Sequence, residues 1–374
     1  MLEIVDHLAG TIGERLAGTP QAHEAARYVA DRFSELGLRV EIQEFPFVGW
    51  EPGERPRLQL VEPVREEIAA APSNHTVSTP AEGITGRLVR AGTAYLVPGL
   101  LEWPRFAVVD GDGRELAYLV GHLGLGAHEG RSILASSGEY MFPSLKAIIS
   151  QRDTARIAGW LDGGRVVRVH LTMHGRIVPL STGRNVIATW GDPGCRHPLF
   201  CAHHDTAPWS PGAIDDASGV QALVDLAARL VKEEPRRSWE FVSFDANLMH
   251  FLGSLYYVKE RQARGTLEQL SAAINLDDVG AGDTLYVPVW PDDLRWRLEN
   301  IIAGSAAHAR LAVQMLGNVS GSDHYWFAQY GVPMAEFLVW PFDDYHGPMD
   351  VPESVDPSLV ELVTSLAFDV ARVL

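Results

Sequence analysis

"PLFCAHHDTAPWSPGAIDDASGVQALVDLAARLVKE", Pro198 to Glu233, is the stretch whose reading decides the fold. It opens with a short apolar run that ends in His203, His204 and Asp205, as a buried strand does where it meets solvent. After a turn containing Pro211 and Gly212, the residues Val220, Leu223, Val224, Ala227 and Val231 recur at helical spacing on one face. A buried strand followed by an amphipathic helix is the unit of an α/β fold.

The same alternation continues on both sides. Strands are expected at "NVIATW", "WEFVSF", "AAINLD", "TLYVPVW" and "MAEFLVW", with helices near Leu294 to Ile302 and Ser358 to Leu374. This pattern predicts an α/β protein with a three-layer mixed β-sheet and helices on both faces, its ligand site outside the carboxyl ends of the strands. Upstream, Thr19 is a candidate N-cap and Pro20 suits the first helical position, before Ala22, Ala25, Ala26, Val29, Phe33 and Leu36 line one face up to Gly37. "LRVEIQEF" then alternates at Leu38, Val40 and Ile42, as a sheet edge or connector does. From Gly49 to His174 prolines and glycines punctuate short apolar runs such as "GRLVRAGTAYLV" and "RFAVVDGDG". The expected organisation is therefore one domain from residues 1–48 and 175–374, interrupted by a β-rich insert at 49–174.

Composition removes several function classes. The 374 residues are 46% hydrophobic, enough for a substantial core. No stretch approaches the roughly 18 to 20 apolar residues of a membrane span, and "MLEIVDHLAG" lacks a signal-peptide pattern, so a soluble, cytoplasmic chain with no membrane partner is expected. With 48 acidic and 31 basic residues the net charge of -17 repels phosphate backbones, so no nucleic acid partner is expected. Cys195 and Cys201 are too few for a disulfide framework, and Cys201, inside an apolar strand, reads as inert packing. No Gly-x-Ser-x-Gly elbow occurs.

Polar residues gather where the apolar strands end: His203, His204 and Asp205, then Asp215 and Asp216 before a helix, Asp277 and Asp278 after a later strand, and His346 near the end. Imidazole and carboxylate donors at one sheet edge suit zinc. Each one alone is an ordinary cap or turn former, and their joint order carries the reading.

That order, in "AHHDT", "PGAIDDASGVQALVDLA", "SFDANLMHFLGS", "INLDDVG", "SDHYWFAQYGVP" and "YHGPMDVPESV", resembles the M28 family of zinc aminopeptidases and carboxypeptidases. The opening "LAGTIGERLAGTPQAHEAARYVADRFSELGL" is also typical of it, and the insert looks like the family's protease-associated domain, most clearly at "MFPSLKAIISQRDTARIAGWLDGGRVVRVHL". The resemblance implies that His203, Asp215 and Asp277 hold one zinc, with Asp215 bridging to a second zinc held by His346. It implies that Asp205 accepts from the other ring nitrogen of His203 and fixes its tautomer. Tyr345 matches a position that stabilises an oxyanion in some members; the other reading is a core-edge tyrosine. If the strand persists, His204 faces away from His203 and packs.

One stretch departs from the pattern. Where the family has two glutamates, a general base and a ligand of the second zinc, this chain has Asn247 and Leu248. An amide does not take up and return a proton near neutral pH, and leucine offers no lone pair. One zinc is thus expected, and the second seat is short of a ligand. His250 is a candidate substitute base or ligand, or shapes the pocket. Asp278 could also stand in, but strand alternation points it away from the metal of Asp277. The leading expectation is a zinc-dependent hydrolase of the aminopeptidase type with an altered centre, acting on a peptide or peptide-like small molecule. The alternatives are a catalytically silent pseudopeptidase, and a cyclase or transferase on the same fold.

Overall fold

The computed structural model describes residues 2–97, 101–121, 123–124, 144–192, 194–234, 236–318, 321–342 and 345–374. The chain divides into two compact units, Met1–Phe47 with Thr182–Phe342 and Pro348–Leu374, and Val48–Ser181 with Asp343–Gly347.

The sheet of the first unit has eight strands, of which the first two continue into the second unit: β1 (Arg39–Pro52), β2 (Gly175–Trp190), β3 (His197–His203), β4 (Trp239–Phe244), β5 (Leu270–Asp277), β6 (Thr284–Trp290), β7 (Ala312–Leu316) and β8 (Met334–Trp340). Their order across the sheet is β1-β2-β4-β3-β5-β8-β6-β7. The central strands β4, β3, β5 and β8 are mutually parallel, while β2 and β6 run antiparallel to their neighbours β4 and β8. The register sets His203 beside Phe244 and Cys201 beside Asn275, so β3, β4 and β5 finish at one edge.

The helices of this unit include α1 (Pro20–Glu35), α2 (Gly219–Glu233), α3 (Leu252–Ala263), α4 (Asp292–Ala303), α5 (His324–Gln329) and α6 (Pro357–Val373). The first starts as its sequence predicts, with the Thr19 hydroxyl accepting from the Ala22 N–H and Pro20 leading the helix. Alternation along the strands divides the core. Leu199, Cys201, Val242 and Phe244 pack with Tyr257 and Val258 of α3 and Phe327 of α5. On the other parity, Phe200 stacks with Phe241, which stacks with Phe33 of α1. The sheet is therefore the middle of three layers, as the strand–helix alternation predicts.

The second unit is β-rich. Its nine-stranded sheet is mostly antiparallel, with one parallel pair between Glu115–Val120 and Lys146–Ile149. Leu58, Leu60, Leu88, Phe106, Leu119, Ile157 and Leu171 fill one core, against the helix Gln151–Asp162. Met141–Pro143, which open the stretch expected to mark the insert, lie outside the described residues. No helix among the described residues is long and apolar enough to cross a membrane.

Candidate metal centre

His203 is the last residue of β3 and Asp277 the last of β5, so the sheet itself delivers two polar side chains to its carboxyl edge. Asp215 comes from the turn before α2, where it and Asp216 leave helical geometry. The three meet: the His203 Nε2 lies 3.0 Å from Asp215 Oδ1 and 3.6 Å from Asp277 Oδ1. All three are buried, and one donor atom from each lies within 4.8 Å of the others.

Neighbouring residues set the orientation of each donor. The Nδ1 of His203 faces the Asp205 carbonyl oxygen at 3.1 Å and the Asp205 Oδ1 at 3.3 Å, which leaves Nε2 for the two aspartates. The same Asp205 carboxylate accepts the backbone N–H of Asn247 at 3.0 Å and of Leu248 at 3.2 Å. Asp216 accepts from the His203 N–H at 3.0 Å and the Gly219 N–H at 3.0 Å, tying the strand end to the start of α2. Asp350 accepts from the N–H groups of Ile214 and Asp215, at 2.6 and 3.2 Å. The hydroxyl of Ser322 donates to Asp277 Oδ2 and accepts from Asn275 Nδ2.

A buried arginine holds the loops below this cluster. Arg15 directs its guanidinium to the carbonyls of Leu8, Gly13, His204, Pro211 and Gly212. Burial lowers its pKa to about 10, and the carboxylates of Asp350, Asp205, Asp215 and Asp216 oppose that shift. Burial also disfavours charge on the His203 ring, yet the hydrogen bonds that the ring makes to Asp205, Asp215 and Asp277 outweigh it and raise its pKa well above the ordinary value. The cluster thus favours positive charge at Nε2. One nitrogen and two carboxylate donors around a point that attracts positive charge fit a zinc ion.

The altered pair sits in the turn after β4. Asn247 and Leu248 are both buried, on a short 3₁₀ turn that precedes α3. The Asn247 amide donates to Ser322 Oγ at 3.0 Å and to Asp323 Oδ2 at 2.9 Å. Burial raises the pKa of Asp323 to about 7, against the opposing pull of His203 and of the Asn247 hydrogen bond. His250, half-buried with φ at 62°, accepts from Trp326 Nε1 through its carbonyl and is not among the three clustered donors. His204 packs under the site with its Nδ1 2.9 Å from Ser243 Oγ, and burial lowers its pKa to about 3. Tyr345 and His346 belong to the second unit, where their rings stack at 3.7 Å.

Strand alternation does not decide where Asp278 points, and it is not among the three clustered donors. β5 ends at Asp277 and Asp278 turns to φ +54°, so the alternation argument that pointed it away does not apply. Sequence reasoning did not assign Arg15, Ser322, Asp323 or Asp350 a place. The available signals were a lone arginine in "GERLAGTP", the polar run "SDH", and an aspartate after the terminal histidine segment.

Comparison with known proteins gives the family and the fold. The model of peptidase family M28 matches residues 185–371, a span that contains His203, Asp215 and Asp277. Aminopeptidase YwaD of Bacillus subtilis (strain 168) is 24% identical over 394 aligned residues, covering 98% of this chain and 84% of the relative. The crystal structure of a peptidase M28 precursor from Shewanella amazonensis SB2B aligns with a TM-score of 0.76 at 22% identity, over 99% of this chain and 91% of that one. BSAP, a zinc aminopeptidase from Bacillus subtilis, aligns with a TM-score of 0.68 at 20% identity, over 99% and 93% of the two chains. These structures share the fold, and the family match spans half of the 374 residues. This chain belongs to peptidase family M28.

Proposed function

We propose that the protein is a metal-dependent hydrolase of the aminopeptidase type, with a zinc ion on His203, Asp215 and Asp277 and a peptide or peptide-like amide as its substrate. The observation that carries this reading is the convergence of three buried donors within 4.8 Å at the carboxyl edge of the sheet. The relatives named as aminopeptidases, one of them a zinc enzyme, support the substrate class and the metal. When bound, zinc supplies Lewis-acid chemistry, polarising an amide carbonyl and making water a better nucleophile at neutral pH.

The chain's own residues hold and aim that site. Asp205 fixes the His203 tautomer, Ser322 holds Asp277, and Asp350 pins the backbone of Asp215. No side chain at position 247 shuttles a proton, because the Asn247 amide donates to Ser322 and Asp323 and has no basic lone pair to offer. Loss of a general base lowers rates by about 10²- to 10⁴-fold, so the expected enzyme is slow.

The test is hydrolysis of aminoacyl anilides by the zinc-reconstituted chain. We expect weak, zinc-dependent cleavage that chelation abolishes, and a gain of about tenfold or more from Asn247→Glu combined with Leu248→Glu. A chain that binds zinc and anilide but releases no product, with or without the glutamate pair, contradicts the hydrolase and favours a peptide-binding pseudopeptidase.

A further inference from the structure

A cavity of about 390 Å³ lies within the first unit, at the edge of the sheet away from the metal centre. Its wall includes Glu240, the second residue of β4, whose register partner Leu199 stands four residues before His203. Four residues of strand set the two sites about 13 Å apart. Arg39 and Glu41 reach the cavity from β1, two residues apart and therefore on one face of that strand. Tyr257, Glu260, Arg261 and Arg264 reach it from α3 and its C-cap, at the spacing of a single helix face.

Buried hydrogen bonds hold this wall in place. Glu240, 1% exposed, lies 2.9 Å from His197 Nε2 and accepts from Arg261 Nη1 at 2.9 Å and from the Tyr257 hydroxyl. Arg261 Nη2 donates to the Thr266 carbonyl at 3.1 Å and to Gln269 Oε1 at 3.3 Å. The Nε of the same guanidinium is buried and meets no acceptor among the described residues. An unmet donor on a buried cation is costly, and a ligand carboxylate would meet it. Arg264 is paired with Glu260, whereas the exposed Arg39 and Glu41 have no ion pair among the described residues. The open charges at the cavity are thus one cation and one anion on the same strand face.

Three arginines balance three glutamates around this cavity, in a chain whose net charge is -17. Such a wall favours neither a simple anion nor a simple cation, and suits a molecule that carries both charges a few ångströms apart. The volume is at the small end of ligand pockets, and Ile187 and the Tyr257 ring add apolar surface. We propose that the cavity binds a free α-amino acid as its zwitterion, the carboxylate between Arg261 and Arg39 and the ammonium on Glu41. The choice of ligand rests on the reading under Proposed function, because an aminopeptidase releases such a molecule; the site itself does not depend on the metal.

The probe is leucine, titrated calorimetrically into the zinc-loaded chain beside leucinol, which lacks the carboxylate, and N-acetylleucine, which lacks the ammonium. The same titrations are made on Arg39→Gln, Glu41→Gln and His203→Ala. We expect leucine to bind about tenfold or more tightly than either analogue, and to bind His203→Ala as well as the unaltered chain. Arg39→Gln should narrow the gap between leucine and leucinol, and Glu41→Gln the gap between leucine and N-acetylleucine. Absence of leucine binding, or either gap left unchanged by its variant, overturns the proposal. Binding that vanishes in His203→Ala places leucine at the metal centre and overturns it as well. A chain that binds leucine as expected but cleaves no anilide keeps the cavity and contradicts the hydrolase reading instead. Both β1 substitutions are at exposed positions, and thermal melting confirms that each variant is folded.

Discussion

Asp205 joins two parts of the site through one carboxylate, facing the His203 ring and accepting two backbone N–H groups of the turn that carries Asn247. Replacing it by asparagine puts a donor where the site needs an acceptor. Asp205→Asn should weaken zinc binding by about 10- to 100-fold, measured by competition with a chromogenic chelator; an unchanged affinity would show that Asp205 only packs. The link from Asp205 to a histidine is a local motif and can be read from "HHD". Its link to residues 247 and 248 cannot, because it depends on how the turn after β4 is bent. The same limit hid Arg15, whose carbonyl partners come from two segments far apart in sequence, near residues 8–13 and 204–212. Buried acids also give the metal-free protein a pH signature. Burial, with Asp205 close by, raises the pKa of Asp245 from 3.8 to about 8, and burial raises Asp323 from 3.8 to about 7. Each holds a proton in the fold that the unfolded chain releases, so the associated stability is lost as pH rises through the folded pKa. His204, lowered from 6.5 to about 3, acts with the opposite sign, but only below pH 6.5. Asp350, raised by burial to about 7, acts with the same sign as Asp245 and Asp323, so between pH 6.5 and about 8 chelator-treated protein should lose about 2–3 kcal/mol in urea unfolding. A flat or rising profile there would mean that these carboxyls are ionised in the fold.

The connection from β4 to α3 is the element on which the altered pair depends. Ala246, His250 and Phe251 all adopt positive φ, so the chain reverses direction sharply around the Asn247–Met249 turn. Gly253 closes this bend: a Cβ there would lie 2.2 Å from the Asp245 carbonyl and 2.5 Å from Asn185 Oδ1. Gly253→Ala should cost about 2–4 kcal/mol in urea unfolding and loosen the Asn247 turn; a loss below about 0.5 kcal/mol would mean the backbone yields freely. The central strands were legible because each is a bounded apolar run: "WEFVSF", "TLYVPVW" and "MAEFLVW" coincide with β4, β6 and β8. Asp278 was not legible for the complementary reason. "LDDVG" continues a strand-like pattern past the residue where the ladder ends, and no side-chain type marks the change to positive φ.

At the scale of the molecule, the fold rests on the apolar three-layer core, whereas the metal centre is a patch of buried charge that the core must tolerate. Asp205, Asp215, Asp216, Asp277, Asp278, Asp323 and Asp350 are all buried, in a chain whose net charge is already -17. Such a region is destabilising without a compensating cation, and a bound metal stabilises the fold by mass action. The family framework and the order of the donors can be read along the chain, since each lies at the end of an apolar strand or the start of a helix. Their distances depend on strand register, which pairs β3 with β4 and β5. The most direct measurement of the central claim is zinc uptake by metal-stripped protein, beside the His203→Ala variant, by equilibrium dialysis with metal analysis. The account predicts a tight zinc equivalent in the unaltered chain that His203→Ala loses while remaining folded. A folded chain without that equivalent, or a variant that keeps it, contradicts the assignment of His203, Asp215 and Asp277 as the metal site.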